Sequence, residues 1–115
     1  MTEFDAVHQE LRAIMLDAAA GLVVARDAPG DLVVHRNTAD PKSGQPQWFG
    51  TVTIKKSYVA YHLIPLYDDP ALADGLSGAL AKRRQGKTCF NFKARDAALF
   101  AEVRALTQQA RAALR

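Results

Sequence analysis

Three kinds of residue in this chain could do chemistry: a lone thiol at Cys89, three histidines, and a dense run of cations between positions 82 and 95. A thiol and an imidazole are the parts of a nucleophile–base pair, and Cys89 with His62 is the pair a sheet could bring together. No third residue to orient the imidazole is evident, so Cys89 is expected to be a small, unreactive hydrophobe at a strand start. His8, His35 and His62 fall on different predicted elements, without the short local spacing of metal ligands. The adjacent acids Asp68 and Asp69 read as a helix cap. No catalytic residue and no metal ligand is assigned, and no cofactor follows from the sequence.

Gly86-Lys87-Thr88 has the ending of a phosphate loop. The first glycine of that motif would fall at position 81, which is Ala81. The segment also leads from a helix into a strand, so no helix N-terminus faces a phosphate. Lys82, Arg83, Arg84, Lys87, Lys93 and Arg95 are uninterrupted by any acid. Contact with a polyanion is one reading of that run. The plainer one is that Lys82, Arg83 and Arg84 end a helix, where cations complement the macrodipole. No nucleic-acid motif accompanies the run, and nucleic acid is not expected as a partner.

The elements that must position these groups follow from periodicity. Phe4, Val7, Leu11, Ile14, Met15, Ala18 and Leu22 recur at helical spacing, predicting a helix over 3–20 that ends at Gly21. Thr2 and Asp5 have capping-box spacing in front of it. Leu22-Val23-Val24-Ala25 fits either a last helical turn or a short strand. Asp27-Ala28-Pro29-Gly30 is a turn, Asp31–Arg36 a strand, and Asn37–Gln47 a loop. Trp48–Lys55 and Tyr58–Pro65 form a hairpin about Lys56-Ser57. Asp69-Pro70 opens a Leu-rich helix that Gly75 and Gly78 weaken near Ser77, with Gly86 as its stop. Thr88–Lys93 is a short strand, and Asp96 caps a last helix striped by Leu99, Val103, Leu106, Ala110 and Leu114. The fold class is α+β: a short antiparallel sheet of about four strands with three helices mainly on one face, ordered α-β-β-β-α-β-α.

A tight hairpin sets Thr51 opposite His62 and Thr53 opposite Ala60. One sheet face then collects Val52, Ile54, Val59, Tyr61 and Leu63 with Phe90 and Phe92, and this is the core. The other face collects Phe49, Thr51, Thr53, Lys55, Tyr58, Ala60, His62 and Ile64 with Cys89, Asn91 and Lys93. Its mixture of aromatic and polar groups suits a ligand or an interface, although many antiparallel sheets simply leave one face in water.

The bulk numbers bound the rest. At 115 residues, with 49% hydrophobic and 23% charged, the chain is expected to form one domain with its own core. One cysteine allows no internal disulfide, and no apolar run reaches the roughly 18 residues of a membrane span. The acidic start Met1-Thr2-Glu3-Phe4-Asp5 lacks the basic region of a signal peptide, so the cytoplasm is the expected location and no membrane partner is expected. A net charge of +3 permits anionic partners without requiring them.

Lys56-Ser57-Tyr58-Val59-Ala60-Tyr61-His62-Leu63, then Pro65 and a Leu-rich helix, then Gly86-Lys87-Thr88-Cys89-Phe90-Asn91-Phe92-Lys93, form a recognisable pattern. Over residues 48–107 the chain resembles an uncharacterised bacterial family related to the YdhG-like group of domains of unknown function. The resemblance implies an α+β fold and no established enzyme activity. For some of the wider group a role as frataxin-like iron chaperones has been proposed. The recurring residues matched here are Lys56, Tyr58, His62, Gly86, Lys87, Cys89, Asn91 and Lys93. Iron delivery of that kind would use exposed carboxylate clusters, and the adjacent acids here are Asp68 and Asp69.

The expectation is therefore a non-enzymatic binding module. Its site comprises Trp48 at the rim, Thr51, Lys56, Tyr58, His62, Cys89, Asn91 and Lys93. The ligand would be a small anion or an acidic protein surface. A homodimer through the same face or an edge strand, and an iron chaperone, are the alternatives.

Overall fold

The computed structural model describes residues 3–114, so the capping box that needs Thr2 lies outside the described residues. Helix α1 (Glu3–Asp17) buries Val7, His8, Leu11, Ile14 and Met15, the one-sided stripe its spacing predicts. It stops three residues before Ala20, and the chain reverses through Gly21 at φ +80°. Strand β1 (Val23–Ala28) follows, so the Leu22–Ala25 stretch becomes strand rather than helix. Pro29 and Gly30 turn β1 into β2 (Asp31–Ala39), with Gly30 at φ +74°.

Strand β3 (Pro46–Ile54) and strand β4 (Val59–Leu63) complete a four-strand meander. The expected loop over 37–47 is shorter than the sequence suggests, because β2 and β3 extend into it from both sides. Residues 40–45 remain as the turn, organised by the Asp40 carboxylate, which accepts from Lys42 N at 2.7 Å. After β4 come α2 (Pro65–Asp68), a 3₁₀ turn (Pro70–Ala73) and α3 (Gly78–Ala81). Strands β5 (Arg84–Gln85) and β6 (Cys89–Phe92) and the long helix α4 (Ala97–Ala112) finish the chain.

Two expectations are corrected. The sheet has six strands rather than four, in the order β1-β2-β3-β4-β6-β5, every pair antiparallel. The two additional strands are the outermost ones, where backbone pairing on a single side replaces the alternating pattern that announces a half-buried strand. The Leu-rich helix expected from Asp69 is not continuous: it splits near Ser77, where its glycines weaken it, into the 3₁₀ turn and α3. Asp69 sits at the cap position without making a cap bond. Ser77 does cap α3, accepting from Leu80 N at 3.1 Å, and Asp96 caps α4, accepting from Leu99 N at 3.1 Å.

The hairpin register is the predicted one. Ile54 pairs with Val59, Thr53 with Ala60 and Thr51 with His62, and Lys55 N donates to Tyr58 O at 2.8 Å. Leu32, Val34, Val52, Val59, Tyr61, Leu63, Phe90 and Phe92 thus share one face, and all are buried in a single cluster. α1 supplies Val7, Leu11, Ile14 and Met15 to that cluster, α2 Leu66, α3 Leu80, and α4 Phe100, Val103, Leu106 and Ala110. Every α-helix therefore packs on the same side of the sheet.

Two details fix how closely the layers meet. A Cβ at Gly50 would lie 2.7 Å from the backbone oxygen of His62 and press on the Met15 Cε, so the β4 carbonyl leaves room for glycine alone beneath α1. The His8 ring Nε2 donates to Val52 O at 2.9 Å beneath the same helix. Among the described residues no helix is long and apolar enough to cross a membrane.

Candidate functional site

With the helices on one side, alternation leaves the opposite face of the sheet to be built from Val33, His35, Thr51, Thr53, Ala60, His62, Cys89 and Asn91. One irregularity changes its make-up. Val34 pairs with Gly50 but His35 pairs with Trp48, so Phe49 is an extra residue in β3, a β-bulge. Simple alternation expects Phe49 on this face. The bulge instead turns Phe49 into the core, where it is fully buried, and sends Trp48 outward. Trp48 stacks on His35 with ring centroids 5.4 Å apart and remains 48% exposed. His35 was missed as a site residue, although its alternation with Leu32 and Val34 was the signal that could have found it. Its Nε2 is buried and unpartnered.

The other predicted residues divide into two groups. Thr51, His62, Cys89 and Asn91 come together: Thr51 is opposite His62, His62 is opposite Cys89, and Ala60 is opposite Asn91. Lys56 lies at the exposed hairpin tip, with Tyr58 half-buried at its base. Lys93 is exposed beyond the end of β6, where it lines a cavity with Arg83 and Arg95.

Cys89 and His62 are neighbours but not a catalytic couple. The Cys89 thiol donates to Asn91 Oδ1 at 3.3 Å, and a donating thiol is protonated. Burial pushes its pKa up, with the Lys55 charge opposing more weakly. Burial and then Lys55 push the His62 pKa down, and the closest partner of its Nδ1 is the Thr88 hydroxyl at 3.4 Å. A neutral imidazole beside a neutral thiol has no thiolate to offer. Among the described residues no group of three or more histidine, cysteine or acidic side chains could hold a metal ion.

The centre of the face is closely packed, with Thr51 only 8% and Ala60 1% exposed, and cations stand about it. Lys55 and Arg26 flank its polar centre, and its acid, Asp31, is held by Arg26 at 2.7 Å and by the Thr53 hydroxyl. A polar cavity of about 650 Å³ lies elsewhere, between α1 and the β1–β2 turn, lined by Asp5, His8, Arg12 and Asp27. No family model, no curated protein and no solved structure matches the chain.

Proposed function

We propose that this protein is a non-enzymatic interaction module that docks an acidic protein surface on the helix-free face of its sheet. The observation that carries the reading is the half-exposed Trp48–His35 stack on a face that no helix covers. Large aromatics with polar neighbours are the usual anchors of interfaces. The cavities between α1 and the β1–β2 turn and at the end of β6 are lined by residues off this face, and small-ligand sites are concave, which favours a protein surface over a small molecule. Arg26 and Asp31 satisfy each other, and Lys55, which no carboxylate holds among the described residues, favours an acidic partner over a second copy of the same face. The thiol–imidazole chemistry described above supports no enzymatic reading, and the iron-chaperone alternative finds no carboxylate cluster to support it among the described residues.

A photoreactive phenylalanine analogue at position 48, compared with one at Tyr67, tests this in the host cell. Tyr67 is 63% exposed on α2, outside the sheet. The expected result is a discrete protein adduct from position 48 and none of that mass from position 67. Excess unlabelled protein should abolish the adduct, and excess Trp48→Ala, His62→Asp protein should not. An adduct of twice the chain mass would replace the acidic partner with self-association. No adduct from position 48, or the same pattern from both positions, would contradict the reading.

A further inference from the structure

The cationic run 82–95 loses its plainer explanation in the folded chain. α3 ends at Ala81 after four residues, Arg84 belongs to β5, and Lys87 lies in the turn between β5 and β6. A single helical turn has too few aligned peptides to call for three cations at its end. Some of the six cations are occupied. Arg84 Nη2 donates to Lys87 O at 2.7 Å, the Lys87 ammonium sits 5.2 Å from the centre of the Tyr67 ring, and Arg95 pairs with Glu3 at 3.5 Å. Among the described residues neither Arg83 nor Lys93 has an ion-pair partner.

Arg83 and Lys93 converge on one feature. A cavity of about 190 Å³ at the corner between β6 and α4 has Phe92 and Leu99 as its apolar lining, with Arg83, Lys93 and Arg95 about it. Asp96 also lines it, but its carboxylate is committed to Leu99 N at 3.1 Å. Arg95 is already paired with Glu3 at 3.5 Å and Glu10 at 4.0 Å, so Arg83 and Lys93 are the two cations at the cavity that no carboxylate holds among the described residues. Phe92 is 2% exposed, so charges above it act across a low-dielectric wall, where they are worth more than in open water. The volume is below the roughly 300–1,000 Å³ of sites for drug-sized ligands, which limits the occupant to a small group.

We propose that this corner is a binding site for a small phosphomonoester. The phosphoryl dianion is held by Arg83 and Lys93, and an apolar substituent rests on Phe92 and Leu99. Guanidinium and ammonium donors to phosphate oxygens are the strong, charge-assisted kind. The site lies away from the helix-free sheet face and does not depend on that face having a partner.

The test is an amide chemical-shift titration of the ¹⁵N-labelled protein at constant ionic strength, with phenyl phosphate, inorganic phosphate and phenol as probes. The expected result is saturable shifts confined to residues about 83 and 92–99, tighter for phenyl phosphate than for inorganic phosphate, and none with phenol. Arg83→Gln and Lys93→Gln should each weaken phenyl phosphate by about 10-fold, the loss of one charge-assisted bond. Lys42→Gln, in the β2–β3 turn, should leave binding unchanged. Both cavity positions are exposed, so their variants should keep the wild-type melting temperature. Non-saturating shifts, shifts spread over all lysines and arginines, or equal binding by the Arg83→Gln, Lys93→Gln double variant would overturn the proposal.

Discussion

Buried polar atoms show most plainly how single residues specify this structure. The Thr107 hydroxyl donates to Val103 O at 2.7 Å, so its oxygen must accept from the Tyr61 hydroxyl at 2.6 Å. Both residues are fully buried, and burial pushes the Tyr61 phenol well above its ordinary value, which keeps it a donor. The order of the bonds predicts an asymmetry. Tyr61→Phe removes one hydrogen bond but leaves no donor stranded, and should cost about 1 kcal/mol. Thr107→Val leaves the phenol buried without an acceptor and should cost about 1–3 kcal/mol. Urea denaturation of both variants checks this, and a larger loss for Tyr61→Phe would refute the assigned direction.

At the scale of elements, short pieces are held by side chains from long ones. α3 is only four residues, too short to be stable alone. Glu102 on α4 fixes it: one carboxylate oxygen accepts from Ser77 N at 2.7 Å and the other from the Ser77 hydroxyl at 2.6 Å. Glu102→Ala should therefore cost about 1 kcal/mol and selectively raise amide hydrogen exchange in residues 77–82. Uniform exchange changes would show that α3 stands without the clamp. The same scale explains what was legible in the sequence. The two long helices, the Lys56-Ser57 hairpin with its register, and the Asp96 cap all follow from local spacing and capping chemistry. β5 was hidden, and β1 was left open between a short strand and a last helical turn, because an outer strand is specified by its neighbour's backbone rather than by its own alternation. The Phe49 bulge was hidden for a related reason. An extra residue in β3 is set by its pairing with β2, and it reverses the faces that alternation assigns to Trp48 and Phe49. The cluster Thr51, His62, Cys89 and Asn91 was readable from register and His35 from its alternation with Val34, whereas the stacking of His35 on Trp48 and the separation of Lys93 from the face were not.

The whole molecule is one-sided. Its α-helices bury one face of a six-stranded sheet and leave the other with Trp48, His35, Thr53, His62 and Asn91. Its outer strand β1 exposes Val23 and Val24, an edge that could pair with another chain. That edge is blunted by a register shift between Val24 and Arg26 and by charge. Arg12 on α1 grips Asp27 with a two-pronged bond that holds the Asp27 carboxyl below the usual carboxylate range, and Arg26 pairs with Asp31. The edge is thus protected while the face is not, which is why the face carries the proposed function. Trp48 is the chain's one tryptophan and sits on that face, so its reactivity reports directly on cover. The decisive measurement is oxidative labelling of Trp48 in the purified protein and in intact host cells, read by mass spectrometry. The account predicts ready labelling of the dilute purified protein and strong protection in the cell, with Tyr67 labelled alike in both. Equal labelling of Trp48 in the two settings would contradict it.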